Sequence, residues 1–365
     1  MEATASEGNL QPILTRMVEN TIRKHIPMNV IFELTYRCNL RCKHCYIPEP
    51  NRHLSELSTE EIEDALQQLA DLKTLYLTLT GGEIFLRPDI FRIGNRAKAL
   101  GFALKFFTNG TLITPRIADK IAELRPFTVE ISIYGINATT HDFVTKAKGS
   151  HAKSMEAVRM LAQRGIRTKA KMPLMNHSFQ EYHELLDECE SLGVECRMDH
   201  SIVAMDDGDR DPLKLRTTDE QLFQIFMDKK ISPKGDLPTA PAQLCEAGRN
   251  TLSISPNGDV VPCIQLPLVA GNIRQQSLRD IWEGSPVMLR TRNWTTDDLS
   301  DCPTCSLQKH CNRCAGMALV EDGDEMGCSS RARQVARVRE QIALHRSNGT
   351  LHLLPMTKDR QAAPA

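Results

Sequence analysis

The sequence predicts an α/β fold, a partial (β/α)6 TIM-like barrel followed by a small cysteine-rich C-terminal module. Three observations carry this expectation. Six short apolar runs alternate with helical patterns between residue 30 and about residue 230, and such alternation builds a parallel sheet with helices outside it. Six units are too few to close an eight-stranded barrel, so the barrel stays open, with a lateral mouth wide enough for a large substrate. After about residue 235 the pattern changes, and seven cysteines fall between Cys245 and Cys328.

Taken in order, Val30–Leu34 reads as the first strand, and Ser58-Thr59-Glu60-Glu61 as a capping box opening a helix to about Ala70. Leu75–Thr80 is the second strand; Pro88 marks the start of the next helix and Gly101 its stop. Ala103–Thr108 is the third strand, followed by a helix with Thr114 as N-cap and Pro115 at its first position. Phe127–Tyr134 is the fourth, and its helix runs through about Gln163 and ends before Gly165. Thr168–Leu174 is the fifth, with a helix from Ser178 that ends before Gly193. Glu195–Ile202 is the sixth, and a helix near Thr218–Met227 closes the series.

Beyond the barrel, TLSISPNGDVVPC (residues 251–263) alternates around Asn257-Gly258, a strong hairpin signal. Residues 300–328 are rich in cysteine and turn residues, with too little apolar material for a core, so metal is expected to hold them together. A basic helix from about Ser329 to His345 follows, its arginines read as a solvated face. The expected division is an N-terminal extension at 1–27, a barrel at 28–235, a cysteine-rich module at 236–346 and a disordered tail at 347–365.

Composition narrows the function classes. With 365 residues, 41% of them hydrophobic, the chain has enough apolar material for a full core. A formal net charge of −1 argues against a nucleic-acid binder that works through a broad basic surface. No run of about 18 apolar residues is present, so no membrane span is expected. The N-terminus has scattered charges and no apolar core segment, unlike a signal peptide, which points to the cytoplasm. Twelve cysteines without such a signal are not expected to form a disulfide framework. Cys189 and Cys196 stand alone and read as small buried hydrophobes.

The most informative stretch is TYRCNLRCKHCY (residues 35–46), where Cys38, Cys42 and Cys45 are spaced C-x3-C-x2-C after the first strand. Three thiolates suit three irons of a [4Fe–4S] cluster, with the fourth iron left for an outside ligand. A zinc ion with water as its fourth ligand is the alternative, but zinc usually recruits ligands from separate turns. This spacing resembles the signature of the radical SAM family. In that family the open iron takes the amino and carboxylate groups of S-adenosylmethionine, and reductive cleavage yields a 5′-deoxyadenosyl radical. By resemblance, His44 occupies the position close to the adenine. Gly81-Gly82-Glu83 after the second strand is similar to the family's GGE motif: glycines permit close backbone approach to a ligand, and the carboxylate accepts from an ammonium group. Asn109 ends the third strand. Ser132 sits where relatives touch the ribose, and Lys171 is placed to pair with the methionine carboxylate, although Lys169 has the same strand parity.

The C-terminal cysteines read Cys245, Cys263, then Cys302-x2-Cys305-x5-Cys311-x2-Cys314, then Cys328. A zinc knuckle is the alternative, yet the five-residue gap is short for one and seven cysteines overfill a single site. With the N-terminal triplet, the pattern resembles the SPASM extension of radical SAM enzymes, an iron–sulfur module with two auxiliary [4Fe–4S] clusters, making three in all. By position, Cys302, Cys305, Cys311 and Cys328 hold one auxiliary cluster completely. Cys245, Cys263 and Cys314 hold the other with one position open, because the stretch DLPTAP (236–241), where relatives with a full set have another cysteine, has none.

The resemblance spans about residues 28 to 345. It implies a peptide maturase of ribosomal natural products that acts by crosslinking, epimerisation or excision. It also implies a precursor peptide as partner, a separate leader-recognition protein because residues 1–27 are too few for such a domain, and a flavodoxin or ferredoxin-type electron donor. A small-molecule or tetrapyrrole radical SAM enzyme and a non-catalytic iron–sulfur sensor are the alternatives.

Overall fold

The computed structural model describes residues 10–231 and 245–348; the expected boundary at residue 235, the DLPTAP stretch and tail residues 349–365 lie outside them. The first element, α1 (Leu10–Arg23), falls inside what the sequence suggested was an extension. It leads to β1 (Asn29–Thr35), whose run of apolar residues is buried because helices cover one face and the barrel interior the other. The connection between them is fastened from far along the chain: the Trp282 indole donates to the His25 carbonyl at 2.6 Å and the Thr74 hydroxyl to that of Pro27 at 2.9 Å.

The strand–helix series then follows the expected order. In α2 (Thr59–Asp71) both halves of the Ser58/Glu61 capping box form, at 3.2 and 2.7 Å. Next come β2 (Tyr76–Gly81) and α3 (Ile90–Ala99), then β3 (Ala103–Thr108) and α4 (Pro115–Leu124), capped by Thr114. After β4 (Thr128–Ser132) the single helix expected is two, α5 (Ala138–Thr145) and α6 (Ser150–Gln163). They are divided at Gly149, whose φ of +83° a helix does not accept. Asp142 spans the break, accepting from Gly149 N at 2.6 Å and His151 N at 2.9 Å. The remaining pairs are β5 (Thr168–Pro173) with α7 (Tyr182–Ser191) and β6 (Glu195–Asp199) with α8 (Asp219–Met227).

The C-terminal part contains β7 (Thr251–Ile254), β8 (Asp259–Val261), β9 (Gly271–Asn272), α9 (Leu278–Gly284), α10 (Pro286–Asn293), α11 (Ala315–Asp322) and α12 (Ser330–Asn348). The hairpin at Asn257-Gly258 forms, and it continues the barrel's sheet. The strand β7 pairs in parallel with β1, from Asn29↔Thr251 to Phe32↔Ile254, and extends the sheet to nine strands in the order β6-β5-β4-β3-β2-β1-β7-β8-β9. Leu252, Ser253 and Ile254 are accordingly all buried. Phe32, Leu79, Phe106, Ile131, Met172 and Leu252 form the sheet's share of one core, which Trp282 and Val338 join from the C-terminal helices.

The helix α12 corrects a second expectation. Its arginines are not simply a solvated face: Arg331 and Arg339 are 3% and 5% exposed. Arg331 donates to the His200 carbonyl at 2.9 Å and the Thr217 hydroxyl at 3.2 Å. Arg339 lies over the Phe226 ring at 5.1 Å and donates to the His310 carbonyl at 3.4 Å. Both arginines therefore bolt the barrel's last unit to the cysteine-rich segment. Replacing Arg331 by Gln strips buried acceptors of a charged donor, which costs about 2–3 kcal/mol. A lowered urea midpoint at unchanged m-value is expected, and an unchanged midpoint would show the contact to be idle. Among the described residues, no helix is long and apolar enough to cross a membrane.

Candidate active site

Parallel strands present their C-terminal ends together, and four of those ends meet here. The loop after β1 carries Cys38, Cys42 and Cys45; Gly81 closes β2 and Gly82 follows it, Asn109 follows β3 and Ser132 closes β4. All of these, with His44, line one cavity of about 180 Å³. The cysteine loop is held on one side by α5, where Lys43 N donates to Val144 O at 2.8 Å and Arg41 N to Thr145 O at 3.3 Å. On the other side the glycine turn grips it, Gly82 N donating to Thr35 O at 2.7 Å and Glu83 N to Arg37 O at 2.9 Å.

That grip explains both glycines differently from the sequence reading. Gly81 has φ +127°, and a Cβ there would stand 2.1 Å from the Thr35 carbonyl oxygen; one on Gly82 would stand 2.3 Å from that of Arg37. The close approach they permit is to the cysteine loop's own backbone. The fully buried Glu83 is likewise turned to its own frame, accepting from the Thr108 hydroxyl and Asn109 N at 2.8 Å and from Phe85 N at 3.1 Å. Its carboxylate ties β2 to β3, and it does not line the cavity.

His44 packs against Tyr134 with ring centroids 4.7 Å apart and planes tilted by 57°, and its Nδ1 is buried without a hydrogen-bond partner. Burial, then the nearby His177, lowers its pKa to about 4, so it is neutral at physiological pH. Asn109 Nδ2 donates to Asn39 Oδ1 at 3.0 Å and approaches Cys38 Sγ at 3.8 Å. Lys171 stands opposite Ser132 in the β4–β5 register, lies 3.7 Å from the centre of the Phe107 ring and pairs with Glu130 at 3.6 Å. Lys169 sits further down the strand and is committed to Glu195 at 2.6 Å.

Two residues at this site escaped the sequence reading. Arg52 is buried and places NH2 3.5 Å from Cys45 Sγ, a cation beside a thiolate position. Tyr134 lines the cavity beside Cys42, and its hydrogen bond to that thiol opposes part of the pKa rise that burial imposes. No spacing signals Arg52; Tyr134 is foreshadowed only by its place two residues past Ser132.

The C-terminal cysteines separate into two groups. Cys302, Cys305, Cys311 and Cys328 line a second cavity of about 640 Å³ together with Arg313 and Arg333. Cys314 is absent from that wall and lies instead with Cys245 and Cys263, near enough to disfavour the ionisation of both. The Cys314 thiol donates to Gln265 Oε1 at 3.5 Å. The small apolar cluster of Ala247, Leu266, Trp294 and Ala315 packs against Cys245 and Cys263.

These donor sets fit clusters. Burial raises the pKa of the Cys38 and Cys45 thiols and pushes Cys42 and Cys263 up to about 12, so thiolates there need a cation to form. Among the described residues, no three His, Cys, Asp or Glu side chains gather tightly enough for one metal ion. A cluster instead accepts ligands spread around a cavity, each on its own iron.

The comparisons agree with this geometry. The profile of the Radical SAM superfamily matches residues 32–189, and that of the SPASM iron-sulfur cluster-binding domain matches residues 245–315. The chain is 30% identical to mycofactocin maturase MftC of Mycolicibacterium smegmatis over 84% of its own length and 82% of that protein's. The chain belongs to the radical SAM superfamily. This radical SAM chain is also 27% identical to the AdoMet-dependent heme synthase of Methanosarcina barkeri, over 82% of itself and 94% of that protein. Its fold matches Streptococcus suis SuiB bound to the precursor peptide SuiA, with a TM-score of 0.68 at 16% identity, covering 91% of this chain and 82% of that one.

As a radical SAM enzyme it binds S-adenosylmethionine and carries [4Fe–4S] clusters. When bound, these groups supply a strongly hydrogen-abstracting primary radical. The chain's own contribution is to hold and orient them. The glycine turn fixes the cysteine loop, Arg52 offsets negative charge at Cys45, and buried walls keep water from the reacting atoms.

Proposed function

We propose that this radical SAM enzyme matures a ribosomally synthesised precursor peptide in the cytoplasm, by crosslinking, epimerisation or excision. The observation that carries this reading is the 30% identity to mycofactocin maturase MftC, which extends through both the barrel and the cysteine-rich region. In this reading Cys38, Cys42 and Cys45 hold the cluster that meets S-adenosylmethionine. His44 contacts the adenine, Asn109 and Ser132 the sugar side, and Lys171 the methionine carboxylate. Gly81 and Gly82 bring the backbone close to S-adenosylmethionine on the cavity wall, and Glu83 completes that motif from behind it. Cys302, Cys305, Cys311 and Cys328 hold one auxiliary cluster, and Cys245, Cys263 and Cys314 the other, giving three clusters in all. A leader-recognition protein and a flavodoxin or ferredoxin-type donor complete the system.

The test is incubation of the reduced enzyme with a precursor peptide encoded beside its gene, followed by high-resolution mass measurement in normal and heavy water. Loss of a hydrogen pair means crosslinking, deuterium uptake without other change means epimerisation, and a large loss means excision. Release of 5′-deoxyadenosine with the peptide untouched would overturn the reading. A second reading, a tetrapyrrole-pathway enzyme, is favoured by the likeness to a heme synthase over nearly all of that protein; turnover of a porphyrin substrate would establish it.

A further inference from the structure

A smaller cavity, of about 100 Å³, lies between the two cysteine systems. Tyr46 is the wall it shares with the cavity of Cys38, Cys42 and Cys45. Gln265, whose side chain meets the Cys314 thiol at 3.5 Å, is the wall toward the C-terminal cysteines. The lining is otherwise apolar except for two carboxylates, Asp206 and Glu321.

One of those carboxylates is short of a donor. The Glu321 side chain is 1% exposed; Oε1 accepts from Arg216 at 2.5 Å, while Oε2 is buried without a hydrogen-bond partner. Asp206 is held by its backbone, its N–H donating to Tyr46 O at 2.9 Å. Among the described residues, no cation stands at ion-pair distance from the Asp206 carboxylate. Arg216 is spent on the Glu321 carboxylate and Arg210 on its carbonyl oxygen at 2.5 Å, while Arg331, whose charge also reaches Glu321, donates to His200 O and Thr217 Oγ1 instead of to Oε2. A third carboxylate, the buried Glu33, stands behind Tyr46 and accepts from its hydroxyl. Burial, then the neighbouring Asp207, pushes the Asp206 carboxyl up to about 7.

We propose that this cavity receives a cationic side chain, ammonium or guanidinium, of the peptide substrate, held between Asp206 and Glu321 Oε2. The assignment rests on the peptide-maturase reading and adds to it a preference at one substrate position. An apolar side chain would leave Glu321 Oε2 buried without a donor, and an acidic one would add like charge to the carboxylates. A lysine or arginine fills both needs: its methylenes meet the apolar wall and its head supplies the missing donors. Residues flanking it in the substrate then pass along Tyr46, at the edge of the cysteine-loop cavity.

The test uses full-length, anaerobically reconstituted enzyme with S-adenosylmethionine, titrated calorimetrically with acetyl-Ala-Lys-Ala-amide, its arginine counterpart and its norleucine counterpart. A cationic peptide is expected to bind at least about tenfold tighter than the norleucine peptide, as a desolvated charge pair allows. Asp206→Asn should erase most of that preference and Asp206→Glu should keep it. Iron content and circular dichroism should stay at wild-type values, because among the described residues no ion pair holds the Asp206 carboxylate in the fold. Glu321→Gln should weaken the preference as well. Equal affinity for the three peptides, no binding of any, or an undiminished preference in Asp206→Asn would each overturn the assignment. Peptide processing is measured separately. Processing without charge preference sinks only the cavity assignment, and preference without processing sinks only the maturase reading.

Discussion

Alanine at Cys38, Cys42 and Cys45 together is expected to reduce 5′-deoxyadenosine release to background and to lower the iron content from about twelve to about eight per chain. The two effects have one cause. Those three thiols are the cysteines on the wall of the cavity made by the barrel's strand ends. Their pKa values are raised by burial, so the site binds its metal through thiolates or not at all. Of the seven C-terminal cysteines, Cys302, Cys305, Cys311 and Cys328 line a different cavity, and Cys245, Cys263 and Cys314 lie near one another, off the wall of the first. The variant should therefore keep its visible absorbance at about two-thirds of wild type, with the auxiliary clusters' spectroscopic signature intact. Wild-type iron near four atoms per chain would remove the auxiliary assignment, and surviving cleavage in the triple variant would remove the first.

Gly82→Ala is expected to empty the same site without touching a ligand. The added Cβ would lie 2.3 Å from the Arg37 carbonyl oxygen and 2.8 Å from that of Tyr36. Both obstacles are backbone, and both belong to the chain that enters the cysteine loop. Neither side yields easily, because Gly82 N and Glu83 N are bonded to Thr35 O and Arg37 O across the same gap. Overpacking of this kind costs about 1–3 kcal/mol, and the loop is the weaker partner. The measurable result is a fold that still melts cooperatively but loads one cluster fewer and cleaves S-adenosylmethionine poorly. Gly284→Ala is the control: no heavy atom lies within 4 Å of its added Cβ. A Gly82→Ala enzyme with full iron and wild-type cleavage would show that the grip does not govern the site.

How much of this was legible beforehand depends on how local each cause is. Strand ends such as Ala103–Thr108 and caps such as Ser58 and Thr114 are set by neighbours a few residues away, and they fall where the pattern put them. The cysteine loop was legible for the same reason, since its three thiols share one turn. The pairing of β7 with β1 was not, because its register joins residues 29 and 251 and nothing near either announces the other. The buried arginines of α12 lay in between. Arg331, Val335 and Arg339 recur at four-residue spacing and so share a helix face; the arginine count concealed a stripe that the valine marks as inward. Glu83 was found by its motif, but its partners Thr108 and Asn109 sit on another strand, so its orientation was not.

The pairing of β7 with β1 has a consequence for how the protein is made. The strand that launches the cysteine loop has one early neighbour, β2, and one late neighbour, β7. As the chain leaves the ribosome, the β1 edge stays open through the synthesis of the whole barrel, an exposed apolar strand of the kind that associates wrongly. Closure waits for residue 254, and loop-closure entropy makes that long-range step slow. The C-terminal region is thus also the barrel's last stave, and a chain cut before it would leave the first cysteine loop on an unguarded edge.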